Sequence, residues 1–315
     1  MTTKNLVISQ AGGGFMGIGP ARYLAELEDA LFRLGYGHGA LTRRVALLVG
    51  TSVGAIDVAL LALGYSGKDV LKLHQEHTDG IFGTKLWAYR ILKNGPKFSA
   101  AYVEKLLEAK LGDVTMDRTA VPLYLTAWDA RKKDLKVFGP GDVGVPVRYA
   151  VRCSMAASSY FAPMPGYSVK DGVFQLEESG RYVDGGFSAN DPLLVGMAAG
   201  VDDGHLDPAV GWRLLELVTS GRNPEGGPIS AGWNILTTLS RVVLPAITAG
   251  NSSDVAFVAR AWSKSRKGCP DRLFRVAPEC PDFALDSIEK APDVSNVWGL
   301  QWEKDREQVL ELFRD

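Results

Sequence analysis

The chain has 315 residues, of which 46% are hydrophobic and 23% are charged, and its formal net charge is −1. A chain of this length can bury roughly three quarters of its unfolded surface, and a charge this close to zero excludes a general attraction to nucleic acid. Its three cysteines have no metal-type spacing and are odd in number, which argues against a disulfide framework. The first residues carry no apolar leader and no apolar run approaches the ~20 residues of a membrane span, so we expect a cytoplasmic protein.

Residues 6–62 predict a strand–helix–strand–helix arrangement. Leu6–Gln10 is strand-like and is followed by a glycine-rich loop. A helix begins near Pro20, where the missing N–H has no cost. Val45–Val49 is a run of five apolar residues, as expected of a strand buried on both faces, and a helix with apolar residues at helical spacing follows it. This order predicts a parallel sheet.

The remainder of the chain alternates between further predicted helices and strands. Helices are predicted over residues 68–80, 100–111, 147–157, 228–265 and 301–314, and another begins near residue 192. Strands are predicted over residues 121–127, 135–138, 181–184, 213–219 and 273–276, with a turn-rich excursion before residue 181. The pattern favours one α/β domain in which residues 201–315 form a mostly helical C-terminal portion packed on the same domain.

A Gly-x-Ser-x-Gly sequence, Gly50 to Gly54, follows the second predicted strand and opens a helix. This order describes a nucleophile elbow, in which the turn is so tight that the residues two positions from Ser52 must lack side chains. The following helix directs its free N–H groups and partial positive charge at a developing oxyanion. A simple Gly/Ser turn is the alternative, because the bare pattern is common by chance.

The first loop, Gly-x-Gly-x-x-Gly from Gly12, satisfies the dinucleotide-binding fingerprint. A dinucleotide fold requires a carboxylate at the end of the second strand to hold the ribose, and here that strand ends without one. Two adjacent loops of a parallel sheet face each other, so the N–H groups of Gly13 and Gly14 can converge on a carbonyl that Ser52 attacks. We therefore favour an oxyanion hole over a dinucleotide site.

Two candidates for the base remain open. A hydrolase triad runs Ser, acid, His along the chain, and His205 is the only histidine after Asp184, although it lies in a polar stretch typical of a surface loop. Asp184 precedes two glycines, which allow the backbone to turn sharply, and an aspartate in a dry site has a raised pKa with which it can accept the Ser52 proton directly. His74 and His77 have the spacing of a helical pair but no third ligand, which favours a solvated helix face over a metal site.

Three motifs in order, residues 12–17, 50–54 and 184–186, resemble those of patatin-like phospholipases, and residues 155–163 and 188–192 are similar to the same family. The resemblance runs from about residue 6 to 200, the expected catalytic core. It implies a three-layer α/β/α fold with a mainly parallel central sheet. It also implies a serine acyl ester hydrolase of phospholipase A or lysophospholipase type that needs no metal or organic cofactor.

The same resemblance implies a role for each motif residue. Ser52 is the nucleophile and Asp184 is the base. The expected oxyanion donors are the N–H groups of Gly12, Gly13, Gly14 and Val53. The glycines expected to support the motifs are Gly17, Gly50, Gly54, Gly185 and Gly186.

Met16 departs from the family pattern, which usually has Arg or Lys at this position of the glycine loop. Three interpretations follow. Another cation replaces the missing one, Met16 contacts an acyl chain, or the chain is a catalytically weak lipid- or nucleotide-binding relative.

Residues 85–98 carry four basic and three aromatic side chains and no acid. Basic side chains bind lipid phosphates and aromatic ones enter the interface, so this stretch predicts peripheral contact with a phospholipid membrane, or use of lysophospholipid. The candidate membrane contacts are Lys85, Trp87, Arg90, Lys93 and Lys97, with Tyr89 and Phe98 as further aromatics. A second cluster surrounds Trp262. A solvated helix face is the alternative for both.

Overall fold

A computed structural model of the chain describes residues 5–82, 96, 98–158, 160–207, 209–219, 272–280 and 287–314. The predicted helix over residues 228–265 and the cluster around Trp262 lie outside these ranges. So do all five candidate membrane contacts, Lys85, Trp87, Arg90, Lys93 and Lys97. These remain predictions.

In the described ranges, eight strands form one sheet. They are β1 (Leu6–Gln10), β2 (Leu47–Gly50), β3 (Leu123–Asp129), β4 (Asp134–Phe138), β5 (Met164–Lys170), β6 (Val173–Asp184), β7 (Arg213–Leu217) and β8 (Arg272–Val276). The order across the sheet is β5-β6-β3-β2-β1-β7-β8, and β4 pairs with β3. The pairings from β3 through β2, β1 and β7 to β8 are parallel, whereas β4, β5 and β6 pair antiparallel. The predicted, mainly parallel sheet is confirmed.

Seven longer helices surround the sheet in the part of the chain that the structure describes. They are α1 (Ile18–Leu31), α2 (Val53–Ala62), α3 (Gly67–Phe82), α4 (Ala101–Leu111), α5 (Val147–Ser154), α6 (Leu193–Asp202) and α7 (Ala291–Leu310). Short helical segments occupy Gly14–Gly17, Phe32–Tyr36, Ala40–Arg43, Met116–Arg118, Gly186–Ala189 and Ile288–Lys290. Within the described ranges, no helix combines the length and the apolar character needed to cross a bilayer.

The two faces of the sheet bury different hydrophobic clusters. Ile8 of β1 belongs to the larger cluster, together with apolar residues of α1 to α5 and α7. Its neighbour Val7 belongs to the second cluster, with Leu193 and Met197 of α6. Because successive side chains of a strand point to opposite faces, helices cover both sides. The predicted three-layer α/β/α fold is confirmed.

The structure corrects the prediction of a turn-rich excursion before residue 181. A hairpin, β5 and β6, occupies this part of the chain and adds to the edge of the sheet through β6 and β3. Pro165 and Gly166 obscure the strand pattern in the sequence, but β5 is an edge strand, where proline is tolerated. Its pairing also shifts register around Pro165.

Phe98 was predicted to enter a membrane interface, and the structure shows that this is wrong. Its side chain is 2% exposed. Its ring lies 5.9 to 6.0 Å from those of Phe82, Tyr160 and Phe161. Phe98 therefore belongs to the core beside the candidate site.

The described residues after position 200 share the sheet and the core of the preceding part. Strands β7 and β8 extend the sheet beyond β1, and α7 packs against α1. Tyr23 of α1 meets Trp298 and Trp302 of α7 edge-to-face. The division at residue 200 remains a prediction.

Candidate active site

Ser52 stands between β2 and α2 at the sharp turn that the sequence predicts. Its φ and ψ are 54° and −122°, a costly conformation for a residue with a side chain, which persists only where the surroundings hold it. A Cβ at Gly50 would lie 2.6 Å from the carbonyl oxygen of Gly54, and one at Gly54 would collide with the carbonyl of Gln10. Both positions therefore require glycine.

The Asp184 carboxylate lies beside the Ser52 hydroxyl. Ser52 Oγ donates a hydrogen bond of 2.7 Å to Asp184 Oδ2, and the Gly186 N–H donates one of 2.7 Å to Asp184 Oδ1. Asp184 is the last residue of β6 and pairs opposite Ala127 of β3. The sheet therefore brings together two groups that are 132 positions apart in the chain.

Burial raises the pKa of Asp184 from 3.8 to about 6, against the opposing effect of the hydrogen bonds from Ser52 and Gly186. The residue is 6% exposed. A carboxylate with this pKa is ionised at pH 7 and yet more basic than an ordinary one. It has the properties of a general base for a hydroxyl group.

A second set of hydrogen bonds joins the elbow to the loop after Asp184. Thr51 Oγ1 donates to the carbonyl of Ala189 at 2.7 Å and lies 2.6 Å from Thr126 Oγ1. All three residues are buried. The elbow is thus fixed both to β3 and to the segment that follows the Asp-Gly-Gly motif.

The backbone N–H of Gly12 has a hydrogen-bond partner, unlike those of Gly13 and Gly14 as far as the structure is described. The Gly12 N–H donates to the carbonyl of Asn190 at 3.1 Å, so the prediction that Gly12 is an oxyanion donor is wrong. Among the described residues, none accepts a hydrogen bond from the N–H groups of Gly13, Gly14 or Val53. These three residues border the same pocket as Ser52, and their N–H groups remain available to a substrate oxygen.

A pocket of about 110 Å³ opens onto Ser52 and Asp184. Its described lining is mostly apolar and includes the side chains of Met16, Phe82, Met155, Tyr160, Phe161 and Phe187. Met16 is 7% exposed. No lysine or arginine occurs in the lining as far as the structure describes it.

A scan of family models matches residues 8–197 to the patatin-like phospholipases. The match covers more than half of the chain. The chain belongs to the patatin-like phospholipase family. The motifs that indicate this family in the sequence thus lie in the loops that meet around Ser52.

Curated patatin-like proteins align with the same part of the chain. Patatin-like protein 2 of Oryza sativa subsp. indica is 29% identical over 210 residues, which cover 61% of this chain and 52% of the relative. The cUMP-AMP-activated phospholipase of Escherichia coli is 28% identical over 197 residues, which cover 61% of this chain and 58% of the relative. The chain spans about half the length of the curated relatives it matches. Among solved structures, VipD from Legionella pneumophila aligns with a TM-score of 0.43 and 14% identity, over 99% of this chain and 67% of that one.

No histidine of this patatin-like chain is among the described residues that line the pocket. The ring of His205 stands 6.4 Å from that of Tyr124, and His205 is absent from the pocket lining. His74 Nε2 lies 2.7 Å from Asp57 Oδ1, whereas His77 Nδ1 lies 2.8 Å from the hydroxyl of Tyr102. His74 is buried against Asp57, so the predicted solvated helix face is wrong for this residue.

Two groups near the patatin-like motifs were missed in the sequence. Asp57, fully buried in the apolar helix α2, accepts a hydrogen bond from Gln10 and contacts His74. Ser154, fully buried at the end of α5, accepts a hydrogen bond from the Ser52 N–H. A lone polar residue in an otherwise apolar helix was the available signal for Asp57, because such a group needs a partner.

Proposed function

We propose that the chain hydrolyses fatty-acyl esters of glycerophospholipids, as a phospholipase A or a lysophospholipase, through Ser52 and Asp184. The observation that carries this proposal is the 2.7 Å hydrogen bond from Ser52 Oγ to the buried Asp184 carboxylate. Membership of the patatin-like phospholipase family supports the same reaction class. A related phospholipase in Escherichia coli adds to this support.

The reaction proceeds in two acyl transfers. Asp184 takes the Ser52 proton as Ser52 Oγ attacks the ester carbonyl, and the N–H groups of Gly13, Gly14 and Val53 bind the oxyanion. Collapse of the intermediate breaks the ester bond, and protonated Asp184 returns its proton to the departing glycerol oxygen. Water then attacks the acyl-enzyme with Asp184 again as base, which releases the fatty acid and restores Ser52.

The apolar lining of the pocket supports a long-chain acyl substrate. Met16, Phe82 and Phe161 surround space next to Ser52, and apolar side chains of this kind bind hydrocarbon in proportion to the area they remove from water. Met16 occupies the position of the usual family cation and contributes a thioether, which packs readily against acyl chain. We infer that Met16 belongs to the acyl site.

The basic and aromatic segment at residues 85–97 suits attachment to a membrane surface that presents phospholipid to this pocket. Lysines and arginines near an anionic bilayer each contribute up to about 1 kcal/mol. The enzyme we propose is therefore a cytoplasmic protein with a peripheral, reversible association, and its chemistry involves no cofactor.

Covalent labelling tests the nucleophile. A fluorophosphonate probe should label the wild type at Ser52, and Ser52→Ala should fold, remain unlabelled and release no fatty acid from phosphatidylcholine or lysophosphatidylcholine. Asp184→Asn should lower turnover by at least ~10²-fold, as expected on loss of a general base. His205→Ala is the matched control and should retain wild-type turnover.

Three outcomes contradict the proposal. Equal labelling of the wild type and Ser52→Ala would exclude Ser52 as the nucleophile. Loss of turnover in His205→Ala with retention in Asp184→Asn would establish a histidine base instead. Binding of lipid without any turnover in the wild type would indicate a lipid-binding relative.

A further inference from the structure

Ser154 accepts hydrogen bonds from the backbone of Ser52 and from that of Gly185, the residue after Asp184. Its Oγ accepts a hydrogen bond of 2.8 Å from the backbone N–H of Ser52. Its carbonyl accepts one of 3.3 Å from the N–H of Gly185, the residue after Asp184. Ser154 is fully buried. One residue at the end of α5 therefore links the elbow to the Asp-Gly-Gly loop.

A neighbouring backbone contact extends this link. The N–H of Asp184 itself donates to the carbonyl of Ala156 at 3.0 Å. Residues 154–156 thus run alongside Asp184 and Gly185 and hold them by two backbone hydrogen bonds. The Ser154 hydroxyl joins this segment to Ser52 by a hydrogen bond.

The strained backbone of Ser52 makes this contact important. At φ 54° and ψ −122°, Ser52 keeps its conformation only if its surroundings hold it. The Ser154 hydroxyl accepts a hydrogen bond from the backbone N–H of Ser52 and is part of these surroundings. Ser154 is not among the residues that line the pocket. The Ser52 N–H is therefore committed outside the pocket, which leaves the N–H groups of Gly13, Gly14 and Val53 for the oxyanion.

We propose that Ser154 is a positioning residue for acyl transfer. It fixes the peptide of the nucleophile relative to the loop of the base, and so keeps Ser52 Oγ at hydrogen-bond distance from Asp184 Oδ2. This inference rests on the proposed hydrolase function. It assigns Ser154 a backbone contact only, so its loss affects the chemical step and leaves substrate binding unchanged.

Ser9 provides a matched control. It is also fully buried, but its hydroxyl has no hydrogen-bond partner in the structure as described. Ser9→Ala and Ser154→Ala therefore remove the same atom from equally buried positions, and only the second removes a hydrogen bond to Ser52. Ser154→Thr retains a hydroxyl at the same carbon and is the conservative variant.

Steady-state kinetics separate positioning from general stability. Ser154→Ala should lower kcat and the rate of fluorophosphonate labelling by about tenfold, the equivalent of one buried hydrogen bond, with KM unchanged. Ser154→Thr should recover most of this loss, and Ser9→Ala should match the wild type. If Ser154→Thr does not fold, the comparison of Ser154→Ala with Ser9→Ala decides alone. Wild-type kcat in folded Ser154→Ala would overturn the inference.

Hydrogen exchange tests the contact without relying on activity. In NMR exchange experiments, the Ser52 amide should exchange about tenfold faster in Ser154→Ala than in the wild type and Ser9→Ala. Unchanged exchange of this amide would overturn the inference even if the wild type is an active hydrolase. A wild type that the probe does not label would instead contradict the proposed function, and the exchange result would still decide on the Ser154 contact.

Discussion

Replacement of Asp184 by asparagine should stabilise the protein while it removes activity. Burial raises the pKa of this carboxyl from 3.8 to about 6, which corresponds to a cost of about 3 kcal/mol for keeping it ionised in the folded state at pH 7. Asparagine carries no charge. Its carbonyl can still accept from the Gly186 N–H, and its amide can donate to Ser52 Oγ. We therefore expect Asp184→Asn to raise the free energy of unfolding by up to about 3 kcal/mol at pH 7.

The pH dependence of this gain identifies its cause. The folded-state pKa lies above the unfolded one, so the cost is complete above about pH 6 and disappears below about pH 4, where the carboxyl is protonated in both states. Urea unfolding of Asp184→Asn and the wild type at pH 7 and pH 4, followed by tryptophan fluorescence, measures this difference. Asp171→Asn, in the exposed turn between β5 and β6, is the control and should change neither value. An equal gain at both pH values would refute the reasoning, because charge burial would then not be its source.

Three further predictions concern turnover and lipid contact. Turnover at saturating substrate should fall about tenfold from pH 7 to pH 5, because Asp184 becomes protonated with a pKa of about 6. A flat pH–rate profile would exclude Asp184 as the base. Met16→Arg should raise KM most for long acyl chains without raising kcat, because it places a charge in the apolar lining. Kinetics on phospholipids of different chain length measure this effect, and a clear rise in kcat would show that only a cation was missing. Replacement of Lys85, Arg90, Lys93 and Lys97 by glutamine should weaken the free energy of binding to anionic vesicles, measured by sedimentation, by up to about 1 kcal/mol per residue. Hydrolysis of a soluble short-chain ester should stay unchanged. Unaltered vesicle binding would mean that the segment is merely solvated.

The parts of the fold that sequence reasoning predicted well are those with one strong local signal. The run Val45–Val49 indicates a strand buried on both faces, and the glycines around Ser52 indicate the turn after it. Both signals are local because burial and steric crowding act on neighbouring residues. The hairpin β5–β6 escaped prediction, since an edge strand with Pro165 and exposed side chains lacks a clear alternation of polar and apolar residues.

The candidate site shows the same limit. Spacing places Gly12 in the loop, but it does not give the direction of its N–H, which donates to Asn190. The contact between Ser52 and Ser154 joins residues 102 positions apart, and no periodic pattern encodes such a pair. Met16 was noticed as a departure from the family pattern, but only the structure locates its side chain in the pocket wall.

The distribution of the site along the chain has a consequence for synthesis in the cell. A ribosome completes the Ser52 turn long before Asp184, and β6 must then pair with β3 to bring the two together. The carbonyl of Gly12 is held by the hydroxyl of Thr219, which lies later still. A nascent chain that ends before these residues has the serine without its base and the glycine loop without this anchor. The order of synthesis thus delays the meeting of Ser52 and Asp184 until the strands from β1 to β6 have been made.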